Sequence, residues 1–69
     1  MIILKLLETT NYSNIIQASN NGNNYEIEVI DNEINLISDE DGYNVDLDYF
    51  GDSEPDLLES VYYFIKNTI

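Results

Sequence analysis

The sequence predicts an α+β domain: an antiparallel meander of four to five strands with one C-terminal helix packed on its apolar face. Three observations point there. Apolar and polar residues alternate strictly through residues 25–29 and 44–49, tight-turn dipeptides separate the alternating runs, and the period changes from two to about 3.6 after Gly51. With 69 residues the chain has room for a single domain, residues 1–69, whose core lies near the lower limit of independent stability.

Residues 2–7 read as a first strand. They are apolar on both sides, so the strand is expected to be central or covered. Asn21-Gly22 between two short apolar runs signals a hairpin, because a type I′ turn needs positive φ at both central residues. That turn sets Ala18 across from Tyr25 and Ile16 across from Ile27. A turn at Asp31-Asn32 sets Val29 across from Ile34, Ile27 across from Leu36 and Glu28 across from Asn35. A third turn at Asp41-Gly42 returns the chain through a strand at residues 44–49.

The three registers agree on faces. One face collects Ile16, Ile27, Leu36 and Leu47 in one row, then Val29, Ile34 and Tyr49 in the next. The other collects Gln17, Glu26, Ile37 and Asp46, then Ile15, Glu28, Asn35 and Asp48. After Gly51, Ser53-Glu54-Pro55-Asp56 reads as a helix start, with Ser53 as N-cap and Pro55 where it costs no hydrogen bond. The following stripe of Leu57, Leu58, Val61, Tyr62, Phe64 and Ile65, continued by Thr68 and Ile69, faces the sheet. Asp56, Glu59, Tyr63, Lys66 and Asn67 face away.

Fourteen acidic residues against two lysines give a formal net charge of -12, and thirteen of the acids lie between Glu26 and Glu59 with no basic residue among them. Nucleic acid and anionic membrane are disfavoured as direct partners, since both would be repelled, and a basic protein is favoured. No cysteine and no histidine are present, which removes disulfides and the usual zinc, iron and copper ligand sets. No cofactor is expected. The segment around Asp39, Asp41 and Gly42 fails as an EF-hand, because position one would fall on Ile37 and position twelve on Asp48. No nucleophile motif or phosphate loop appears, and carboxylates on a flat face lack the cleft that acid-base work on a sugar needs, so the chain is read as not an enzyme. No window is long and apolar enough for a membrane span, and the short apolar start lacks the flanks of a signal peptide.

The candidate site is the polar face of the sheet. Residues i and i+2 on a strand are roughly 6.6 Å apart, so Glu26 with Glu28 and Asp46 with Asp48 would make two acidic columns. Asp39, Glu40 and Asp41 stand on the rim with Asp52, Glu54 and Asp56. Such spacing is comparable to that of successive phosphates, which points to carboxylates offered to lysines and arginines that hold a polyphosphate. Tyr43 and Tyr63 are candidate anchors, because aromatic groups hold a complex that charge has steered together. The plainer alternative is a solvated face used for solubility and edge protection. Ile15, Ile30, Ile37 and Phe50 fall on the same nominal face. They are either covered, by the first strand or by a twin subunit in a homodimer, or exposed as interface anchors.

The run Ile15-Ile16-Gln17-Ala18-Ser19-Asn20-Asn21-Gly22-Asn23-Asn24-Tyr25-Glu26-Ile27 is similar to a hairpin of the small acidic anti-CRISPR proteins that phages and mobile elements direct against the nuclease Cas9. It covers about a fifth of the chain and carries no interface residue across. The resemblance implies a viral DNA-mimic inhibitor acting in the cytoplasm of a bacterial host, which occupies the cationic cleft that reads the PAM duplex or holds DNA. An anti-restriction protein, or an immunity protein against another nuclease, would use the same physics. A different class, an acidic dimerisation or interaction subunit without inhibitory activity, stays open.

Overall fold

The computed structural model describes residues Met1–Ile69 as an α+β fold with a four-stranded antiparallel open sheet and two helices. Strands β1 (Ile2–Thr9), β2 (Ser13–Asn20), β3 (Asn23–Ile30) and β4 (Glu33–Ser38) lie in the order β1-β2-β3-β4, and α1 (Leu47–Ser53) and α2 (Pro55–Thr68) pack on one face.

The two tight turns form as their chemistry demands. Asn21 and Gly22 have φ of 53° and 85°, and Asp31 and Asn32 have φ of 53° and 64°. Short amide and carboxylate side chains tolerate that left-handed region, so the second turn needs no glycine. Ile16 pairs with Ile27, Ala18 with Tyr25, and Val29 with Ile34, in the expected registers.

One register departs. The β3–β4 ladder shifts at Glu28 and Val29, so Glu28 faces Leu36 and Ile27 faces Ile37. Asn35 is the extra residue of a bulge, and its amide donates to Glu28 Oε1 at 2.7 Å. A one-residue slip exchanges faces. Ile37 therefore enters the core at 2% exposure, while Leu36, expected inside, is exposed on the open face.

The strand expected at residues 44–49 is not formed. Only an isolated bridge between Ser38 and Asn44 continues the ladder, made by hydrogen bonds from Val45 N–H to the Ile37 carbonyl at 2.7 Å and from Asp39 N–H to the Tyr43 carbonyl at 2.9 Å. The chain then turns into α1. Asp46 sits in extended backbone and its carboxylate accepts from Tyr49 N–H at 3.4 Å, with Asp48 adding an acid to the first turn. Helical spacing turns Phe50 inward, where it is fully buried. Leu47 and Tyr49 are exposed and belong to no cross-strand row. The sheet consequently has four strands, and the C-terminal helix is the second of two.

Ser53 does not cap α2. It closes α1, with its hydroxyl donating to the Tyr49 carbonyl at 2.9 Å. Glu54 is the junction, with φ -132° and ψ 60°, because the residue before a proline is pushed out of the helical region, and Pro55 opens α2 without losing a donor.

The core consists of Ile16, Ala18, Ile27, Val29 and Ile37 from the sheet, Phe50 from α1, and Leu57, Val61 and Ile65 from α2. Each large side chain contributes about 1.5–3 kcal/mol on burial. From the expected helix stripe, Tyr62, 46% exposed, and Thr68 lie outside, because the buried 57-61-65 line, flanked by the partly buried Leu58, Phe64 and Ile69, is what meets the core. No helix is long and apolar enough to cross a membrane.

Candidate protein-interaction surface

The acidic residues do not form two columns on the sheet. Glu26 and Glu28 lie on the open face of β3 as expected, but Asp46 and Asp48 flank the start of α1. Carboxylates gather instead at the end of the sheet where the β2–β3 turn meets the loop after β4.

That loop is built by Asp39. Its Oδ1 accepts from Asp41 N–H at 2.9 Å and Tyr43 N–H at 3.0 Å, while its backbone N–H donates to the Tyr43 carbonyl at 2.9 Å. Gly42, at φ 85°, supplies the left-handed step that closes the loop. Glu40 then reaches across to the β2–β3 turn, where Oε1 accepts from both the backbone N–H and the side-chain amide of Asn24. Asp39 and Glu40 form a ridge between two shallow depressions, with Asp41 lining one of them. One, of about 300 Å³, is shared with Tyr25, Val45 and Tyr49; the other, of about 420 Å³, is shared with Gln17, Ser38 and Glu26.

Glu54 anchors the same end from the helix side. Oε1 accepts from Asn20 at 3.5 Å, and Oε2 accepts from Asn23 at 3.5 Å and from the Tyr25 hydroxyl at 3.3 Å. Tyr25 stands edge-on to Phe50, ring centroids 4.9 Å apart at 87°. Burial raises the Tyr25 phenol above its ordinary value, and the nearby Glu54 carboxylate, Tyr49 and Asp39 push it the same way.

Every side-chain hydrogen bond accepted by a carboxylate comes from a neutral donor: a backbone amide, an asparagine or a tyrosine. Such bonds fix the orientation of the groups without cancelling their charge. No three carboxylates converge closely enough to hold a metal ion.

Of the residues singled out from the sequence, Glu26, Asp39 and Glu40 line one depression and Asp39, Glu40 and Asp41 the other, while Tyr43 follows in the same loop at 72% exposure. Glu28 lies one pair further along β3, tied to Asn35. Asp46 is occupied in capping α1. Tyr63, also exposed, lines a separate groove with Ile2 and Leu4. Ile37 and Phe50 are core residues, so neither is an outer-face anchor; Ile15 and Ile30 remain on the open face, half-buried. Tyr49 and Glu54 were not among the expected anchors, since one was assigned to an inner row and the other only to a rim.

Comparison with protein-family models, curated proteins and solved structures gives no match.

Proposed function

We propose that the chain is a non-enzymatic binding protein whose acidic end occupies the cationic groove of a nucleic-acid-binding protein, such as a nuclease of the Cas9 kind, in place of DNA or RNA. The observation that carries this reading is that oriented carboxylates at one end of the sheet are held only by neutral donors, leaving their charge for a partner. Glu26, Asp39, Glu40 and Asp41 would meet the lysines and arginines of that groove, and the exposed rings of Tyr43 and Tyr49 would supply the contacts that retain the complex. Long-range attraction of a chain with net charge -12 accelerates encounter and weakens as salt screens it.

The test is capture from a bacterial lysate with and without competing duplex DNA or RNA, followed by inhibition of the captured protein. We expect a basic partner that nucleic acid releases. The variant combining Glu26→Gln, Asp39→Asn, Glu40→Gln and Asp41→Asn should lose inhibition, with circular dichroism confirming that it is folded. Because Asp39 shapes its own loop, the triple variant that spares it serves as the control and should lose most of the effect. Full inhibition by the folded triple variant, or a captured partner indifferent to nucleic acid, would remove the mimic mechanism.

A further inference from the structure

β1 has the composition of a central strand and the position of an edge strand. Ile2, Ile3, Leu6 and Leu7 are all exposed, Ile3 at 55%, and of its inward side chains only Leu4 packs against the core. Its outer edge meets no other strand. A long apolar edge of this kind is a template for pairing with another chain. Beside it runs a groove of about 600 Å³ between β1 and α2, lined by Ile2, Leu4, Tyr63 and Phe64 together with polar residues of α2.

We propose that this flank is the interface of a homodimer, in which β1 pairs antiparallel with β1 of a second copy across a two-fold axis to make one continuous eight-stranded sheet. The choice of a second copy rests on charge. Both lysines of the chain, Lys5 and Lys66, lie on the two elements of this flank, and β1 carries Glu8, the one acid outside the block from Glu26 to Glu59. Lys5 faces Gln17 and Glu8 faces Ile15, so the bulge at Leu7 puts Lys5 and Glu8 on the same face, separated by Leu6 and the bulged Leu7. With Leu7 of each copy kept bulged, an antiparallel pair centred on Leu6 sets Lys5 of each copy against Glu8 of the other. Self-pairing of two acidic chains is feasible here because Lys5 of each copy meets Glu8 of its twin.

The helices extend the seam. α2 packs over β1 and β2. With strands about 4.8 Å apart, joining the two β1 edges brings the two α2 helices to about 10 Å, an ordinary helix-packing distance. They run antiparallel, as the two-fold axis requires, with Tyr63 and Phe64 of each copy lining the seam. A strand pair alone would bury too little, since stable interfaces need about 1,000 Å² in total. Closing the groove over Phe64 and Tyr63 adds the missing apolar area. The dimer interface is separate from the acidic end, so it stands or fails independently of the polyanion reading.

Sedimentation equilibrium of the full chain from micromolar to millimolar concentration tests it. A monomer–dimer equilibrium is expected. Lys5→Glu alone and Glu8→Lys alone should each raise the dissociation constant about tenfold, and the double variant should restore it. Glu8→Lys is the sharper arm, because it changes the net charge from -12 to -10 (-12 + 2) and so relieves overall repulsion while spoiling the local pair. A chain that stays monomeric throughout, or a dimer indifferent to the single reversals or not restored by the double one, would overturn the interface.

Discussion

Along β4 the outer edge of the sheet is met by the chain itself at the strand's C-terminal end. Val45 donates to Ile37, Asn44 bridges to Ser38, and α1 folds back to put Phe50 under the sheet. The loop between them carries Asp39, Glu40 and Asp41 into solvent. Along β1, at the other edge, no segment returns, the side chains are apolar on both faces, and one lysine and one glutamate are the only charges. The two edges manage the same hazard by different means. Charge and a covering segment blunt the first; the second is left open, in a form that pairing would satisfy.

The contrast breaks most visibly at the core. Phe50 is the only buried side chain of α1, so Phe50→Ala removes what ties the covering segment to the sheet. The cost should be about 3–5 kcal/mol, a large part of the whole stability of so small a domain. Leu6→Ala on the bare edge removes a side chain that is already exposed and should cost less than about 1 kcal/mol in the monomer. Thermal melts of the two variants at a concentration where the protein is monomeric check this. Equal losses would mean that β1 is as tightly packed as α1.

A smaller effect locates the helix start. Asp46→Ala should cost about 1 kcal/mol through loss of the cap on α1. Ser53→Ala removes only an exposed bond to the Tyr49 carbonyl and should stay within about 0.5 kcal/mol. Urea unfolding of both variants decides it; a larger loss at Ser53 would put the cap where sequence alone places it.

That misplacement shows what was legible. The β2–β3 and β3–β4 turns were readable because positive φ is a strictly local demand that Asn, Asp and Gly answer. The bulge at Asn35 was not, since nothing in the apolar pattern tells Leu36 from Ile37 as the inward residue until the Asn35 amide is seen to reach Glu28. Residues 44–49 satisfy two patterns at once: alternation through Val45, Leu47 and Tyr49, and a capped helix start at Asp46 followed by Phe50 at helical spacing from Leu47. Tertiary packing of Phe50 decided between them. The charge of the candidate surface was evident from composition, but its grouping was not. Asn24 with Glu40 and Tyr25 with Glu54 are pairs 16 and 29 residues apart, which no local periodicity relates.

The smallest effect concerns the buried anchor of the charged end. The Tyr25 phenol is raised in the folded chain, first by burial and then by Glu54. The folded protein therefore keeps this proton at a pH where the unfolded chain has released it. The associated stability is complete below the ordinary phenol value of about 10 and is lost as pH rises through the higher folded value. Tyr25→Phe keeps the edge-on ring against Phe50 but has no proton to lose, so its unfolding free energy should fall less than that of the natural chain between pH 9 and pH 11. Urea titrations across that range measure the difference. A decline of equal size in both proteins would mean that Tyr25 is not pinned between Phe50 and Glu54, and the acidic end would lose the buried contact that orients Glu54.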